Sequence, residues 1–151
     1  TAIALLNDDV TVAPGWMEGL SDALAEGWNV AQPKLLMASS LAADVALVNS
    51  VGVTLDRHGA GVDIGYGEPD SSVFDGIADI EIFTGGAVLF SRAFLDLTGG
   101  FDERFFLYYE DVDLALRGLD LKCGADRLKV LDLGLGGIND CASFSAPGEC
   151  F

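Results

Sequence analysis

Five acids and five aromatic rings share one stretch of this chain, FDERFFLYYEDVDLALR, residues 101–117. Charges wedged among rings need a reason, because burying an unpaired charge is costly. Glu110 and Asp111 stand where a helix is expected to begin. Acids there are favoured by about 0.3–1 kcal/mol each through the helix dipole. The same placement suits a general base beside a second acid that shapes its proton affinity. The flanking rings are expected to keep water away from that base. A second group is Asn7-Asp8-Asp9, which ends the apolar run AIALL. Oxygen donors at a strand terminus suit a hard cation such as Mg²⁺ or Mn²⁺, and the same residues also make an ordinary turn. A third is Thr84-Gly85-Gly86, either a bulge or a small-residue floor on which a flat ligand can lie. His58 is the only histidine. That argues against Ser-His-Asp or Cys-His chemistry. Neither a phosphate-binding G-x-x-x-x-G-K-[ST] loop nor a dinucleotide G-x-G-x-x-G fingerprint is present.

The elements that must position these groups follow from apolar spacing. AIALLN reads as a buried strand, and NDDVTVAP as a loop. Pro14 suits the first turn of a helix carrying Met17, Leu20 and Leu24, which Gly27 ends. VAQPKLLM reads as extended and broken at Pro33. From Ser39 to Asp79 glycines and turn residues dominate. A long excursion with short strands is expected there, with a hairpin around NSVGVTLD. IEIFTGGAVLFS reads as a strand interrupted at Thr84-Gly85-Gly86. Ser91 then caps the short helix RAFLDLT, which Gly99 and Gly100 end. A second helix starts near Glu110, with Val112, Ala115, Leu116 and Leu119 as its apolar stripe and an Asp113–Arg117 pair on another face. LKVLDL reads as a last strand. Alternating strands and helices predict an α/β layered domain over residues 1–133. The Gly- and Ser-rich stretch 134–151 is expected to be a loose tail.

Composition narrows the function classes. The 151 residues favour one domain with a real core, and half of them are hydrophobic. The mean hydropathy of +0.38 excludes a disordered chain. Twenty-four acids against 8 bases give a formal charge of −16, which argues against a nucleic-acid partner. No apolar run reaches the roughly 18 residues of a membrane span, and no signal peptide opens the chain. Cys123, Cys141 and Cys150 have no metal-like spacing and read as free thiols of a reducing compartment, with a Cys141–Cys150 bridge as the alternative.

The order of the motifs carries a resemblance. A strand ending in N-D-D, a segment with T-G-G, and then GGFDERFFLYYEDVDLALR resemble the family 2 glycosyltransferases of GT-A fold. Within them the chain is similar to the rhamnosyltransferase-like branch that builds bacterial surface polysaccharides. LLNDDVTVAPGWMEGL is similar to the family's metal-site strand and following helix, and NSVGVTLDRHGAGVDIGYGEPD to the branch's variable insert. The resemblance covers roughly residues 2–132.

It implies a GT-A layered sheet with helices on both faces and an inverting transfer of sugar from a nucleotide-diphosphate donor. Asp9 and Asn7 would hold Mg²⁺ or Mn²⁺, with Asp8 beside the substrate. Asp111 would be the base and Glu110 its companion. Thr84, Gly85 and Gly86 would lie beside the donor sugar and the acceptor. The implied partners are a nucleotide-sugar, a dTDP-sugar first among them, and a glycan or lipid-linked acceptor. Such an enzyme works in the cytoplasm, including at the inner face of the membrane. Two departures stand out. The family's first βα units, about three at roughly 30 residues each, are expected to precede Thr1. The histidine that relatives carry after the last strand is absent from LDLGLGGINDCAS. Two other readings remain open: a non-catalytic sugar-nucleotide or glycan-binding relative, and an acidic module that binds Ca²⁺ or another divalent cation.

Overall fold

The computed structural model of the chain describes residues 1–41 and 44–121 and the strands Lys129–Leu131 and Gly137–Asn139. Cys123, Cys141 and Cys150 lie outside the described residues. Among the described residues the architecture is mixed α/β, with three α-helices and small, largely antiparallel sheets.

The main sheet has five strands. In spatial order they are β1 (Ala2–Leu6), β9 (Ala87–Ser91), β3 (Val30–Gln32), β10 (Lys129–Leu131) and β8 (Ile77–Asp79). β3 and β10 run parallel, and the other neighbours pair antiparallel. Side chains alternate across this sheet and sort into two cores. Val88 and Phe90 of β9 and Val30 of β3 pack with Phe94 of α2 (Arg92–Thr98) and Val112, Leu114 and Ala115 of α3 (Glu110–Asp120). Leu89 and Ala31, one residue along, pack instead with Leu20 and Ala23 of α1 (Trp16–Ala25). Helices therefore cover both faces. β9 is buried on both sides, which explains its unbroken apolar run.

A second sheet orders β2 (Val10–Thr11), β11 (Gly137–Asn139), β4 (Leu35–Met37) and β5 (Val48–Ser50). β6 (Val53–Leu55) and β7 (Gly61–Asp63) form a separate hairpin. Lys34, 4% exposed between β3 and β4, bonds Asp70 at 2.8 Å and Asp75 at 2.9 Å. These pairs tie the glycine-rich excursion to the body of the domain.

Several sequence expectations hold locally. Ser91 Oγ accepts the Phe94 N–H at 3.1 Å, and left-handed Gly99 ends α2. Pro33 separates β3 from β4.

Others need correction. AIALL is a strand but not a buried one: all five residues are exposed. Only β9 pairs with it among the described residues, and an apolar run reports composition, not neighbours. α1 begins at Trp16, leaving Pro14 ahead of the helix, because left-handed Gly15 forms the N-cap. NSVGVTLD is not a hairpin. β5 pairs with β4, and β6 turns through Asp56–Ala60 to pair with β7. Thr84-Gly85-Gly86 does not interrupt a strand but precedes β9, and Ile82 makes only an isolated bridge to Val53. The buried face of α3 is Val112, Leu114, Ala115 and Gly118, while Leu116 and Leu119 are exposed. Close packing of Gly118 on the Phe94 ring sets that face. Finally, the expected tail contains β11, whose backbone pairs with β2 and β4.

Candidate active site at the start of the third helix

Antiparallel pairing of β1 with β9 sets the site. It puts Leu6 opposite Ala87, so the residues that follow β1 meet those that precede β9. The Asn7 N–H donates to the Gly86 carbonyl at 3.0 Å. Asn7-Asp8-Asp9 then turns back, with the Val10 N–H on the Asn7 carbonyl at 3.2 Å. Asn7 and Asp8 are exposed, and Asp9 is half-buried.

The same glycine segment meets α3 on its other side. Gly85 N–H donates to Asp111 Oδ2 at 2.8 Å, across 26 residues of chain. Asp111 Oδ1 accepts the Val112 N–H at 2.7 Å. One backbone donor on each oxygen fixes the direction of the carboxylate. A spare lone pair remains on each oxygen. A Cβ on Gly85 would sit 3.5 Å from Asp111 Oδ2, an ordinary contact, so the close approach here is made by the backbone N–H and does not require glycine for space.

Glu110 stands beside this carboxylate in sequence, its Oε2 buried and without a hydrogen-bond partner. The turn that delivers both acids is strained. Tyr108 and Tyr109 hold left-handed φ values of 64° and 65°, and Tyr109 caps α3 with no side-chain bond. Non-glycine residues in that region are uncommon and gather at functional sites. The second half of α3 is anchored instead. Arg117 donates to Asp113 Oδ2 at 2.8 Å and to the carbonyls of Thr98 at 2.6 Å and Gly100 at 2.8 Å. The expected Asp113–Arg117 pair therefore also ties α3 to the end of α2.

The rings do not form the expected dry wall. Phe101 alone joins the core, edge-on to Phe90 with centroids 6.2 Å apart. Phe106 is 98% exposed, and Tyr108 and Tyr109 are largely open to solvent. His58 lies at the hairpin tip, accepting from its neighbour Arg57 at 2.9 Å, away from these contacts.

Two residues that the motifs do not signal also belong here. Gln32, fully buried at the end of β3, accepts the Thr84 N–H through Oε1 at 2.8 Å, and its Nε2 has no partner. A polar residue before a proline in an apolar strand was its only sequence sign. Asp63, at the end of β7, feels the charge of Asp111.

Hydrogen bonds thus join Asn7 to Gly86, Gly85 to Asp111 and Thr84 to Gln32. Among the described residues, no group of three or more His, Cys, Asp or Glu side chains is clustered as for a metal. The donor set at Asn7–Asp9 is an amide and two carboxylates, all hard oxygens. Mg²⁺ commonly takes one or two carboxylates and completes its shell with substrate phosphates and water. The residues fit that partial role, not a cage. No described helix is long and apolar enough to cross a membrane. No protein-family model and no curated protein matches the chain.

Proposed function

We propose that the chain carries the catalytic part of an inverting glycosyltransferase of GT-A type, resembling the family 2 rhamnosyltransferase-like enzymes. One observation supports this above others. Three motifs far apart in sequence meet at a single point, through Asn7 N–H on Gly86 and Gly85 N–H on Asp111.

In this reading Asp111 takes the proton of an acceptor hydroxyl on its free lone pair. The hydroxyl oxygen attacks the anomeric carbon of the donor sugar. As that bond forms, the bond from the anomeric carbon to the diphosphate breaks, and its electron pair leaves on the diphosphate. A single in-line displacement inverts the anomeric centre. A glycosidase of the two-carboxylate kind needs an acid for its leaving group as well as a base or nucleophile. Here Mg²⁺ or Mn²⁺, when bound, supplies the positive charge that stabilises the leaving diphosphate. Asp9 and Asn7 are the residues to hold it, with Asp8 beside the substrate. Gln32 holds the Thr84 N–H and so fixes the start of the Thr84-Gly85-Gly86 turn beside the sugar. Glu110 orients the acceptor through its unpartnered oxygen. The resemblance favours a dTDP-linked donor and a glycan or lipid-linked acceptor, met in the cytoplasm or at the inner membrane face.

The test is transfer from nucleotide-sugars by this chain and by Asp111→Asn. Loss of a general base costs about 10²–10⁴-fold in rate. A variant as active as the parent removes Asp111 from the chemistry.

A further inference from the structure

The insert hairpin brings a second carboxyl to Asp111. In the β6–β7 register Asp63 lies directly opposite Val53, so their side chains share one face of the hairpin. That face rests on the first turn of α3. Val53 is buried in the core cluster that holds Val112. Gly61, two residues before Asp63 and so on the same face, lies close to α3: a Cβ there would be 3.6 Å from Val112 Cγ2 and 3.9 Å from the Tyr109 ring.

Burial, and then the Asp111 charge, push the Asp63 carboxyl up from its ordinary 3.8, with the Ser50 hydroxyl of β5 opposing them in part. No cation is among the groups acting on it. The fold gains nothing from a second acid set in the field of Asp111 with no cation acting on it. Nor does it gain from its two nearby orphans, Glu110 Oε2 and the Nε2 of fully buried Gln32. Polar groups held at a cost in one place, with lone pairs and donors unspent, suit a polar ligand.

We propose that Asp63 is an acceptor-binding residue, carried in by the hairpin to accept the hydroxyl adjacent to the one that Asp111 deprotonates. The site then selects a sugar presenting two neighbouring free hydroxyls. This rests on the transferase reading for the role of Asp111.

Two measurements on the chain test it. In thermal melts from about pH 3 to about pH 8, Asp63→Asn is compared with the parent. An acid whose affinity for protons is raised by folding destabilises the fold as pH rises above its ordinary 3.8. The Asn variant should therefore melt higher by about 2 °C or more near neutrality, with the gain gone in acid. A gain that ignores pH, or a loss at neutrality, overturns the placement.

The second measurement is ligand-detected NMR titration with methyl hexopyranosides, each paired with a monodeoxy analogue. Asp63→Ala should bind the glycoside about tenfold more weakly, the worth of one hydrogen bond to a charged group. The monodeoxy analogue lacking the contacted hydroxyl should lose as much against the parent. Equal binding by Asp63→Ala, or no glycoside binding by the parent, overturns the role. Equal binding leaves the transferase reading standing. Binding lost in Asp63→Ala, in a chain that responds to no nucleotide with Mn²⁺, leaves Asp63 a sugar-binding residue and overturns its acceptor role together with the transferase.

Discussion

The second half of α3 satisfies its polar groups, and its first turn does not. Arg117 spends its guanidinium on Asp113 and on the carbonyls of Thr98 and Gly100, and Gly118 lets α3 lie against the Phe94 ring. At the first turn, two tyrosines are left-handed, Glu110 Oε2 is buried without a partner, and Asp63 feels the Asp111 charge. Both ends belong to one helix of eleven residues, so propensity does not separate them. One end fixes the helix to the core. In the proposed reading, the other holds acids where a ligand would complete them.

The largest way to break this contrast is at the anchored end. A Cβ on Gly118 would lie 2.5 Å from Phe94 Cε2, and that ring is buried. Gly118→Ala should destabilise the fold by about 2–3 kcal/mol through overpacking. Denaturant melts would show it, and a neutral result would mean that the α2–α3 contact yields easily.

At the strained end a substitution should act the other way. Tyr109→Gly relieves about 1–2 kcal/mol of left-handed strain and adds about 0.5–1 kcal/mol of chain entropy cost. A net gain of about 0.5 kcal/mol is expected, with transfer activity reduced as the first turn of α3 loosens. A loss of stability instead would show that the Tyr109 ring holds the hairpin.

The smallest effect belongs to the link between the two helices. Asp102 is held down to about 2, first by its hydrogen bonds with the Arg104 side chain and backbone. A depressed acid stabilises the fold above its ordinary 3.8, and that contribution fades as pH falls toward about 2. Asp102→Asn should flatten this part of the acid limb of a melting-temperature profile. The pair is at the surface, so the change should be slight and should shrink with added salt.

The same contrast explains what the sequence makes legible. Local rules work where local physics decides. Ser91 and Gly99 bound α2, Pro33 splits two strands, and Asp113 meets Arg117 because i and i+4 share a helix face. They fail where partners decide. β1 has the composition of a core strand but lies exposed, and β5 and β6 pair with β4 and β7 rather than with each other. The face of α3 is turned by one glycine against one ring. Of the site, the motif residues Asn7, Gly85, Gly86 and Asp111 are visible as odd residue types at strand and helix ends. Asp63 and Gln32 are not. One arrives by a hairpin register and the other by a single bond to Thr84, and neither leaves a pattern in sequence.

The most direct test of the account is a thermal-melt series on the chain alone, with Ca²⁺, with Mn²⁺, and with Mn²⁺ plus dTDP, UDP or GDP. A ligand at 100 times its Kd adds about 2.7 kcal/mol. The account predicts a rise in midpoint that needs both the metal and one nucleotide and that disappears in Asp9→Ala. A rise with Ca²⁺ alone, or no rise with any pair, would contradict it.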